Sequence, residues 1–571
     1  MVSLRPATSG VKVFLIRTGT LTFYKPRAYL ISRPAQVCTL IPIHAFMSNA
    51  RILWVDDEID LLKAHLRYLE GKHFDVSSAS NGIDALEMIR AEAFDVVFLD
   101  EQMPGMDGLT VLGEIQQIRP STPVIMVTKS EEEHIMEDAL GAQIADYLIK
   151  PVKPTQILLA LKKVLENKRL VTAKVNAGYQ QDFRNIAMQF FDDNGFQEWV
   201  DIYRKLMFWE GKMEENEDSS MEEVLANQLA EANTNFGRFV ARDYLDWVNT
   251  KQIEARPMLS PDVLSQTTFP HIGEGYESVF FILVDCLRYD QWKAFEPIIS
   301  ELFYINSEQA YYGILPTATQ YARNAIFSGL MPLEISKRYP NMWRNDEEEG
   351  GKNLYEQQLL AEQLKRHRMG DLKWSYHKVI SNEEGKTLAD NVLNLVNNDF
   401  NAVVFNFIDL LSHSRTEMNI IRELAPNEAA YRSISRSWLE FSPFLRALKK
   451  LATRNVKVIL TTDHGTVRVK RPTKIIGDRN TTTNLRYKQG KNLNYDEKAK
   501  HLFTVRKPEE AMLPRTNVSS TYVFTMEDHF FAYPNNYNYY VNYYKDTFQH
   551  GGISLEEMIV PIVELTPKGR S

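Results

Sequence analysis

Short apolar runs recur along the chain after residue 47, and each one ends in polar residues. The runs are Ile52–Val55, Val96–Leu99, Val124–Val127 and Tyr147–Ile149. They are too short for helices and show no polar alternation, which is typical of parallel strands buried on both faces. Helical patterns such as Leu109/Leu112/Ile115 lie between them. Because strand and helix alternate, the pattern predicts a doubly wound α/β domain over residues 47–170.

The pattern changes to a helical period over residues 171–270. Apolar residues there recur every three or four positions, which predicts three amphipathic helices packed as a small bundle. The positions are Phe183/Ile186/Phe190, then Trp199/Ile202/Leu206/Trp209, and then Leu225/Leu229/Ala232/Phe236/Phe239/Tyr244/Trp247. Nothing in this connector suggests chemistry, and we expect it to carry a signal or a dimer contact.

Strand-like runs return over residues 271–571, and acidic side chains follow them. Phe280–Val284 precedes Asp285, the run ending at Phe405 precedes Asp409, and the run over residues 456–460 leads through two threonines to Asp463. We therefore predict one large α/β domain whose strand ends carry candidate ligands.

The length of 571 residues implies several domains, because a single hydrophobic core rarely grows past about 300 residues. The first 46 residues differ from the rest, since they carry six Lys or Arg and no Asp or Glu, with scattered apolar residues. We expect Met47 to be the true start and residues 1–46 to be a non-native or disordered extension. A targeting peptide is the alternative.

Composition and cysteine use indicate a cytoplasmic globular protein. The net charge is −8, and no apolar run is long enough to span a bilayer, so no membrane insertion is expected. Cys38 and Cys286 are the two cysteines and lie far apart in the chain, which excludes a disulfide framework. A reducing compartment is therefore the expected location.

Three carboxylates, a threonine and a lysine follow the runs of the first α/β domain. Asp56 and Asp57 follow the first run, Asp100 the next, and Thr128 and Lys150 the last two. Neighbouring carboxylates repel one another unless a cation lies between them, and all-oxygen ligation suits Mg²⁺. Asp100 can then act as a nucleophile toward a phosphoryl group whose charge Lys150 and Thr128 balance.

Residues 47–165 resemble the receiver domain of two-component response regulators. The resemblance rests on these five residues and on Asp-Glu-Gln-Met-Pro-Gly-Met-Asp-Gly over residues 100–108. It implies a flavodoxin-like, five-stranded parallel sheet, bound Mg²⁺ and a partner sensor histidine kinase. The implied roles are phosphoacceptor for Asp100, Mg²⁺ ligation for Asp56, Asp57, Asp100 and the Gln102 backbone carbonyl, and phosphoryl sensing for Thr128, Lys150 and Tyr147. An ordinary strand tyrosine is the alternative for Tyr147.

Three aspartates and three histidines lie near strand ends of the C-terminal domain. They are Asp285, Asp409, His413, Asp463, His464 and His550. Asp409 and His413 share one face if a helix begins after the strand, because they are four residues apart. Six mixed carboxylate and imidazole ligands exceed the capacity of one tetrahedral zinc and suit two ions that share a substrate. Each of them taken alone could be structural, as a helix-capping aspartate is.

A candidate nucleophile lies in Leu-Pro-Thr-Ala-Thr-Gln-Tyr-Ala-Arg-Asn over residues 315–324. Its threonines lead into a helical pattern. A hydroxyl there would lie at a helix N-terminus, where backbone N–H groups and the helix dipole favour phosphate. Plain helix capping by threonine is the alternative.

With these ligands the domain resembles the PglZ branch of the alkaline phosphatase superfamily. That superfamily has an Asp after the first strand, Pro-Thr-x-Thr before a helix, Asp-x-x-x-His, Asp-His-Gly and a late His-Gly, and all five occur here in order. The resemblance implies a zinc-dependent phosphothreonine mechanism with Thr319 as the nucleophile and Thr317 as the fallback. The implied zinc ligands are Asp409, His413 and His550 for one ion, and Asp285, Thr319, Asp463 and His464 for the other.

Substrate preference stays open because this segment departs from the related phosphodiesterase branch. Gln-Tyr-Ala-Arg over residues 320–323 replaces that branch's Phe-Pro-Asn-His, and its phosphate-binding Asn has no clear counterpart, although Arg323 or Asn324 are candidates. Basic residues over 468–491 and tyrosines over 537–544 favour single-stranded or cyclic oligonucleotides. A solvated loop and an aromatic-rich strand are the alternatives.

The order of receiver, helical connector and PglZ-like domain resembles the PorX-type response regulators over residues 47–571. This resemblance implies a link to type IX secretion, contacts with secretion-machinery or sigma-factor partners, and a homodimer on phosphorylation. It predicts a phosphorylation-regulated, zinc-dependent phosphodiesterase or phosphatase acting on oligonucleotides or cyclic dinucleotides. The alternative is a non-catalytic, metal-containing adaptor that regulates transcription or secretion. A DNA-binding regulator ranks last, because strands and metal ligands replace the expected helix-turn-helix.

Overall fold

The structure is a computed structural model that describes residues 50–129, 144–190, 192–215, 221–250, 252–348, 350–417, 419–478, 481–517 and 519–569. The expected extension, residues 1–46, lies outside the described residues. The chain divides between Leu165 and Glu166 into two compact units. None of the described helices is both long and apolar enough to cross a membrane.

The first unit contains a parallel sheet of five strands in the order β2-β1-β3-β4-β5. The strands are β1 Arg51–Val55, β2 Asp75–Ala79, β3 Val96–Asp100, β4 Val124–Thr128 and β5 Asp146–Ile149. The helices α1 Lys63–Glu70, α2 Gly82–Ala91 and α3 Gly108–Ile118 accompany them. Separate apolar cores cover the two faces of the sheet, one including Leu53 and Val97 and the other including Trp54 and Phe98. The predicted doubly wound fold is confirmed.

Three long helices follow, namely α4 Pro154–Gln189, α5 Phe196–Glu215 and α6 Glu222–Asn249. They contain the three predicted apolar patterns, but the first pattern lies on a helix that already begins at Pro154. Trp199 of α5 and Phe236 of α6 belong to the same buried core as the strands of the second unit. The connector helices therefore share their core with the C-terminal α/β domain.

The second unit is built on a mixed sheet of six strands in the order β7-β18-β10-β6-β9-β8. The strands are β6 Ser278–Val284, β7 Phe303–Tyr312, β8 Trp374–Val379, β9 Phe400–Phe405, β10 Val456–Thr461 and β18 Ile559–Pro567. Strands β10, β6, β9 and β8 are parallel, and β18 runs antiparallel between β7 and β10. The three apolar runs that predicted strands are β6, β9 and β10, which are fully buried.

Helices and three small sheets surround this sheet. The helices are α7 Tyr289–Ser300, α8 Thr319–Ser328, α9 Pro332–Arg338, α10 Glu356–Arg366, α11 Asn382–Leu395, α12 Phe407–Glu417, α13 Asn419–Leu424, α14 Glu428–Phe441, α15 Pro443–Leu451, α16 Tyr537–Tyr544 and α17 Leu555–Met558. The small strands are β11 Val467–Arg468, β12 Arg471–Lys474, β13 Tyr487–Gly490, β14 Leu502–Val505, β15 Thr521–Thr525, β16 His529–Ala532 and β17 Phe548–Gln549. The tyrosine-rich run is thus a helix, and the strand alternative is wrong.

Candidate active site

Adjacent parallel strands bring Asp285 and Asp463 to one edge of the sheet. Asp285 follows β6 directly, and Asp463 lies two residues after β10, which pairs with β6. Together with His464 they offer three ligand atoms that all lie within 4.8 Å of one another. These side chains are fully buried, and neither Oδ1 of Asp285 nor Oδ2 of Asp463 has a hydrogen-bond partner within the described chain.

A second group of ligands, Asp409, His413 and His550, lies beside the first. Its ligand atoms also lie within 4.8 Å of one another. Nε2 of His413 is 3.4 Å from Oδ1 of Asp409, one turn away on α12, and Nε2 of His550 is 3.8 Å from the same oxygen. The rings of His464 and His550 stack with their centroids 4.3 Å apart, which joins the two groups. The structure thus brings together all six Asp and His residues that the sequence indicated.

Backbone carbonyl groups orient two of the histidines. Nδ1 of His464 is 3.1 Å from the carbonyl oxygen of Gly465, and Nδ1 of His550 is 3.2 Å from that of Thr317. A carbonyl oxygen accepts and cannot donate, so Nδ1 carries the proton in each ring and Nε2 keeps its lone pair. A histidine held in this way is typical of metal sites. Burial lowers the pKa of His464 and lowers the pKa of His550 to about 3, so both rings stay neutral, as ligation requires.

The buried carboxylates need more positive charge than the protein supplies. Burial raises the pKa of Asp285 and of Asp463, although Arg323 opposes this rise. Two carboxylates this close cannot both ionise in a dry site without a further cation. Divalent ions would supply that charge, and mixed carboxylate and imidazole ligands suit Zn²⁺. The residues present therefore fit a pair of divalent metal ions.

The two candidate nucleophiles differ in what their hydroxyl groups contact. Thr319 is the first residue of α8, and its Oγ1 is 3.1 Å from Nε2 of His464. The preceding residue, Ala318, has no side chain that could cap this helix. The Thr317 hydroxyl is buried, donates to the carbonyl of Gly552 and accepts from the N–H of Gly551. Thr319 therefore faces the ligand groups, whereas Thr317 holds the loop around His550.

A buried ion-pair network behind Asp285 was missed by the sequence analysis. Nη1 of Arg323 is 2.7 Å from Oδ2 of Asp285, and Nε of Arg323 is 2.5 Å from Oε1 of Glu356. Nζ of Lys378 lies 3.1 Å from the other Glu356 oxygen, to which Tyr376 also donates. Arg323 was a candidate phosphate binder, but its guanidinium group is buried among these carboxylates. Its position four residues after Thr319 was a usable signal, because the two share a helix face.

Asn324, the other candidate for phosphate binding, is also engaged within the protein. Its Nδ2 donates to the carbonyl oxygens of Gln320 and Lys352. Asn353, which the sequence gave no reason to single out, donates from Nδ2 to the Thr319 carbonyl oxygen at 2.9 Å. The loop before α10 is thereby fixed to the first residue of α8.

Two backbone features set the position of the acidic groups. Cys286 adopts a left-handed conformation with φ of 68°, and its N–H donates to Oδ1 of Asp463 at 3.3 Å. A Cβ atom at Gly465 would collide with the carbonyl oxygen of Glu556. Non-glycine residues with positive φ are strained, and such strain is concentrated at functional sites. Cys286 is buried and is a free thiol.

The first unit has an acidic group of its own. Ligand atoms of Asp56, Asp57 and Asp100 lie within 4.8 Å of one another. Nζ of Lys150 is 2.9 Å from Oδ2 of Asp56 and 3.0 Å from Oδ1 of Asp100. Burial raises the pKa of Asp100, and the hydrogen bond from Lys150 only partly offsets this rise. These three carboxylates offer only oxygen ligands, which fits Mg²⁺, and the ion would balance their remaining negative charge.

The remaining receiver residues lie around this group. The Thr128 hydroxyl donates to the Glu101 carboxylate, Tyr147 on β5 is exposed, and Gln102 lies exposed in the loop after β3. Their roles in phosphoryl sensing and in Mg²⁺ binding through the Gln102 carbonyl stay predictions. Gly108 lies where a Cβ atom would collide with the Asp100 carbonyl oxygen, which explains the glycine in this segment.

The residues expected to bind a nucleotide substrate divide into buried and exposed sets. Arg486 is buried in an ion pair with Glu557, and Lys488 is buried with its Nζ donating to the Thr482 carbonyl, so neither lines an open groove. Arg479 lies outside the described residues. On α16, by contrast, Tyr539 is 64% exposed and stacks on Tyr543 with the centroids 6.2 Å apart. Lys470, Arg471 and Lys491 are exposed as well, so the accessible part of the prediction consists of these basic residues and the tyrosines of α16.

Three family models match consecutive parts of the chain. The response regulator receiver domain matches residues 52–162, and the PorX response regulator linker domain matches residues 169–248. The BREX system PglZ alkaline phosphatase-like domain matches residues 263–565, which is more than half of the chain. This last match spans Thr319 and all six Asp and His residues of the two ligand groups.

Individual relatives match part of the chain. The transcriptional regulatory protein ZraR of Klebsiella oxytoca is 37% identical over 124 residues, which cover 22% of this chain and 28% of ZraR. The transcriptional regulatory protein SrrA of Staphylococcus aureus is 32% identical over 136 residues, which cover 24% of this chain and 56% of SrrA. A CheY-like receiver domain structure from Methanospirillum hungatei is 30% identical. The match covers 21% of this chain and 94% of that chain, with a TM-score of 0.20.

These curated relatives are therefore matched over 28% and 56% of their own length. The family models, by contrast, follow one another along nearly all of the described chain in the order receiver, linker and PglZ domain. With a five-stranded receiver sheet, a helical linker and a large α/β domain in that same order, the chain belongs to the PglZ family and is a response regulator of the PorX type.

Proposed function

We propose that the PglZ domain is a phosphodiesterase or phosphatase that uses two zinc ions and Thr319 as its nucleophile. The observation that carries this proposal is the contact between the Thr319 hydroxyl and Nε2 of His464, beside buried carboxylate oxygens that have no hydrogen-bond partner within the described chain. A purely structural site would have no reason to direct an uncapped helix N-terminus and a hydroxyl at such a group.

The ligands divide between two ions in this proposal. Asp409, His413 and His550 would hold one ion, and Asp285, Thr319, Asp463 and His464 would hold the other. When bound, the ions would neutralise the carboxylates and stabilise the negative charge that develops on the phosphoryl oxygens.

The chain's own residues then carry the covalent step. Thr319 loses its hydroxyl proton to solvent, and Oγ1 attacks phosphorus as the bond to the leaving oxygen breaks. Backbone N–H groups at the start of α8 would bind the phosphoryl group, which the helix dipole favours. Water then hydrolyses the phosphothreonine and restores the hydroxyl group. Thr317 is unsuited to this role because its hydroxyl is already engaged with Gly551 and Gly552.

Oligonucleotides or cyclic dinucleotides are the proposed substrates. Exposed tyrosines of α16 are separated by only a few residues from His550, and stacking on aromatic rings holds bases without regard to sequence. Arg422 lies over the Tyr543 ring at 5.6 Å and adds a positive charge to this surface.

The receiver would control this activity. Asp100 would accept a phosphoryl group from a sensor histidine kinase, with Mg²⁺ held by Asp56, Asp57 and the Gln102 carbonyl. Thr128, Lys150 and Tyr147 would sense the phosphoryl group, and the phosphorylated protein would form a homodimer. By its PorX-type membership, we further propose a role in type IX secretion through secretion-machinery or sigma-factor partners.

Replacement of Thr319 tests the enzymatic proposal. Thr319→Ala should lower hydrolysis of an aryl phosphodiester by the zinc-loaded protein roughly 10³-fold or more, since the nucleophile is lost, whereas Thr319→Ser should retain part of the rate. Removal of metal with a chelator should abolish activity, and Zn²⁺ should restore it. Thr317→Val tests the fallback nucleophile and should lower the rate far less than Thr319→Ala, because its hydroxyl holds the loop around His550 and does not attack phosphorus. Equal rates for wild type and Thr319→Ala would favour the non-catalytic adaptor instead.

A further inference from the structure

A cavity in the C-terminal unit is lined by none of the proposed metal ligands. Its volume is about 440 Å³, which is within the range of small-molecule sites. Neither Thr319 nor any of the six Asp and His ligands lines it. The connector helices α5 and α6 form an apolar wall that includes Leu206, Met207 and Leu225, and the α/β domain forms a charged wall on the other side.

The cavity as a whole has more acidic than basic side chains. Eight Asp or Glu and four Arg or Lys line the cavity. Three of the four cations are already paired, because Arg288 contacts Asp290 and Glu428, Arg471 contacts Glu527 and Asp528, and Arg468 contacts Asp546. The fourth, Lys470, is exposed. Arg432, which does not line the cavity, pairs with Glu210, Glu214 and Asp290, and the lining carboxylates still outnumber the cations near them.

Glu556 is the carboxylate in this wall that most lacks a counter-charge. It is 8% exposed, and both of its oxygens accept a hydrogen bond from Nδ2 of Asn233 at 3.1 Å. It forms no ion pair with any Lys, Arg or His that the structure describes. Burial raises the pKa of Glu556 to about 7, although Arg288 opposes this rise.

Tyr203 adds a second unsatisfied group to the same cavity. The side chain is 2% exposed, and its ring packs edge-on against Tyr289. Over the described ranges, the Tyr203 hydroxyl has no hydrogen-bond partner, although it lines the cavity. Because Tyr203 lines the cavity, its hydroxyl is available to accept a hydrogen bond from a ligand there. A donor group with a positive charge could therefore interact with both Glu556 and Tyr203.

We propose that this cavity binds a small organic cation of the alkylamine class. Its ammonium group donates to the Glu556 carboxylate and the Tyr203 hydroxyl, and its methylene chain packs against Leu206, Met207 and Leu225. A neutral alcohol of the same length lacks the charge that Glu556 requires. The proposal uses neither the metal ligands nor Thr319, and it stands independently of the hydrolytic function.

Calorimetric titration of the full-length protein tests this site with hexamethylenediamine as the probe and hexanediol as its neutral counterpart. The diamine should bind saturably with one equivalent, and the diol should not bind detectably. Glu556→Gln should weaken diamine binding roughly tenfold or more, because a charge-assisted hydrogen bond becomes a neutral one. Chelator treatment should leave binding unchanged, which separates this site from the metal centre.

Control variants make the test decisive. Glu440→Gln removes an exposed carboxylate that pairs with Arg436 on α14, and it should bind the diamine like wild type. Should Glu556→Gln fail to fold by circular dichroism, Tyr203→Phe removes only the hydroxyl and should weaken binding about threefold or more. Absence of diamine binding to wild type, equal binding of the diol, or unchanged affinity in the folded Glu556 or Tyr203 variant would each overturn the proposal.

Discussion

At the residue scale, the charge balance of the PglZ site depends on the buried guanidinium group of Arg323. Arg323 joins Asp285, a proposed metal ligand, to Glu356, and both carboxylates are buried. Burial opposes ionisation of Glu356, but Arg323 and Lys378 outweigh it and hold the pKa of Glu356 below its usual range. A carboxylate with a lowered folded-state pKa stabilises the fold at neutral pH, and this contribution is lost as pH falls through that lowered pKa.

Arg323→Met should therefore destabilise the second unit at neutral pH. The variant leaves two buried carboxylates without their shared cation, and the free energy of unfolding should fall by about 3–5 kcal/mol. The matched control is Arg344→Met, which removes a partly exposed pair with Glu348 and should destabilise the fold much less, because solvent screens that pair. Scanning calorimetry of the full chain with metal removed measures both. Equal effects of the two substitutions would mean that the buried network does not stabilise the fold.

At the scale of elements, the sequence predicted what lies next to a buried strand. Strands β6, β9 and β10 have continuous apolar runs, so the ligands that follow them could be placed at one sheet edge. Strand β2 was missed because it is an edge strand with the polar sequence Asp-Val-Ser-Ser-Ala. The pairing of Arg323 with Glu356 spans 33 positions, and nothing local in the sequence indicates so distant a contact.

The tyrosines of α16 can stack on one another because the segment is a helix and not a strand. In a helix, Tyr539 and Tyr543 share one face, as do Tyr540 and Tyr544, and the rings of each pair lie nearly parallel. In a strand, the residues of each pair would also share a face but would lie about 13 Å apart and could not stack. The helix therefore presents stacked rings to solvent, which suits the bases of a single strand.

Tyr539→Ala should consequently discriminate between substrates. Loss of a stacking ring removes about 1–3 kcal/mol of base binding, which corresponds to a rise in KM for an oligonucleotide of roughly 5-fold to 150-fold. Hydrolysis of a small aryl phosphodiester should be unchanged, because that substrate has no nucleobase to stack on Tyr539. Tyr304→Ala, at an exposed tyrosine of β7, is the control and should affect neither substrate. An equal loss of hydrolytic activity toward both substrates would instead indicate damage to the metal centre.

The whole molecule combines two compact units, each with an acidic group that fits divalent metal. The residues of the two groups are spaced differently along the sequence. Those of the receiver follow successive strands closely, whereas those of the PglZ group are spread from Asp285 to His550. The chemistry assigned to the two groups also differs, because Asp100 would receive a phosphoryl group from a kinase and Thr319 would receive one from a substrate. Regulation of one by the other is a property of the intact chain and requires a test on the intact chain.

Asp100→Asn provides that test, because an amide cannot form the acyl phosphate while its size and shape are nearly unchanged. With acetyl phosphate and Mg²⁺, the wild-type protein should gain one phosphoryl group by intact mass and shift toward a dimer by light scattering, with a changed rate of phosphodiester hydrolysis. Asp100→Asn should show none of these effects. Asp107→Asn is the matched control from the same loop, since Asp107 caps α3 and asparagine caps helices equally well. Continued labelling of Asp100→Asn would identify another acceptor. Labelling of wild type without a shift toward the dimer and without a change in the hydrolysis rate would mean that the receiver does not control the PglZ domain.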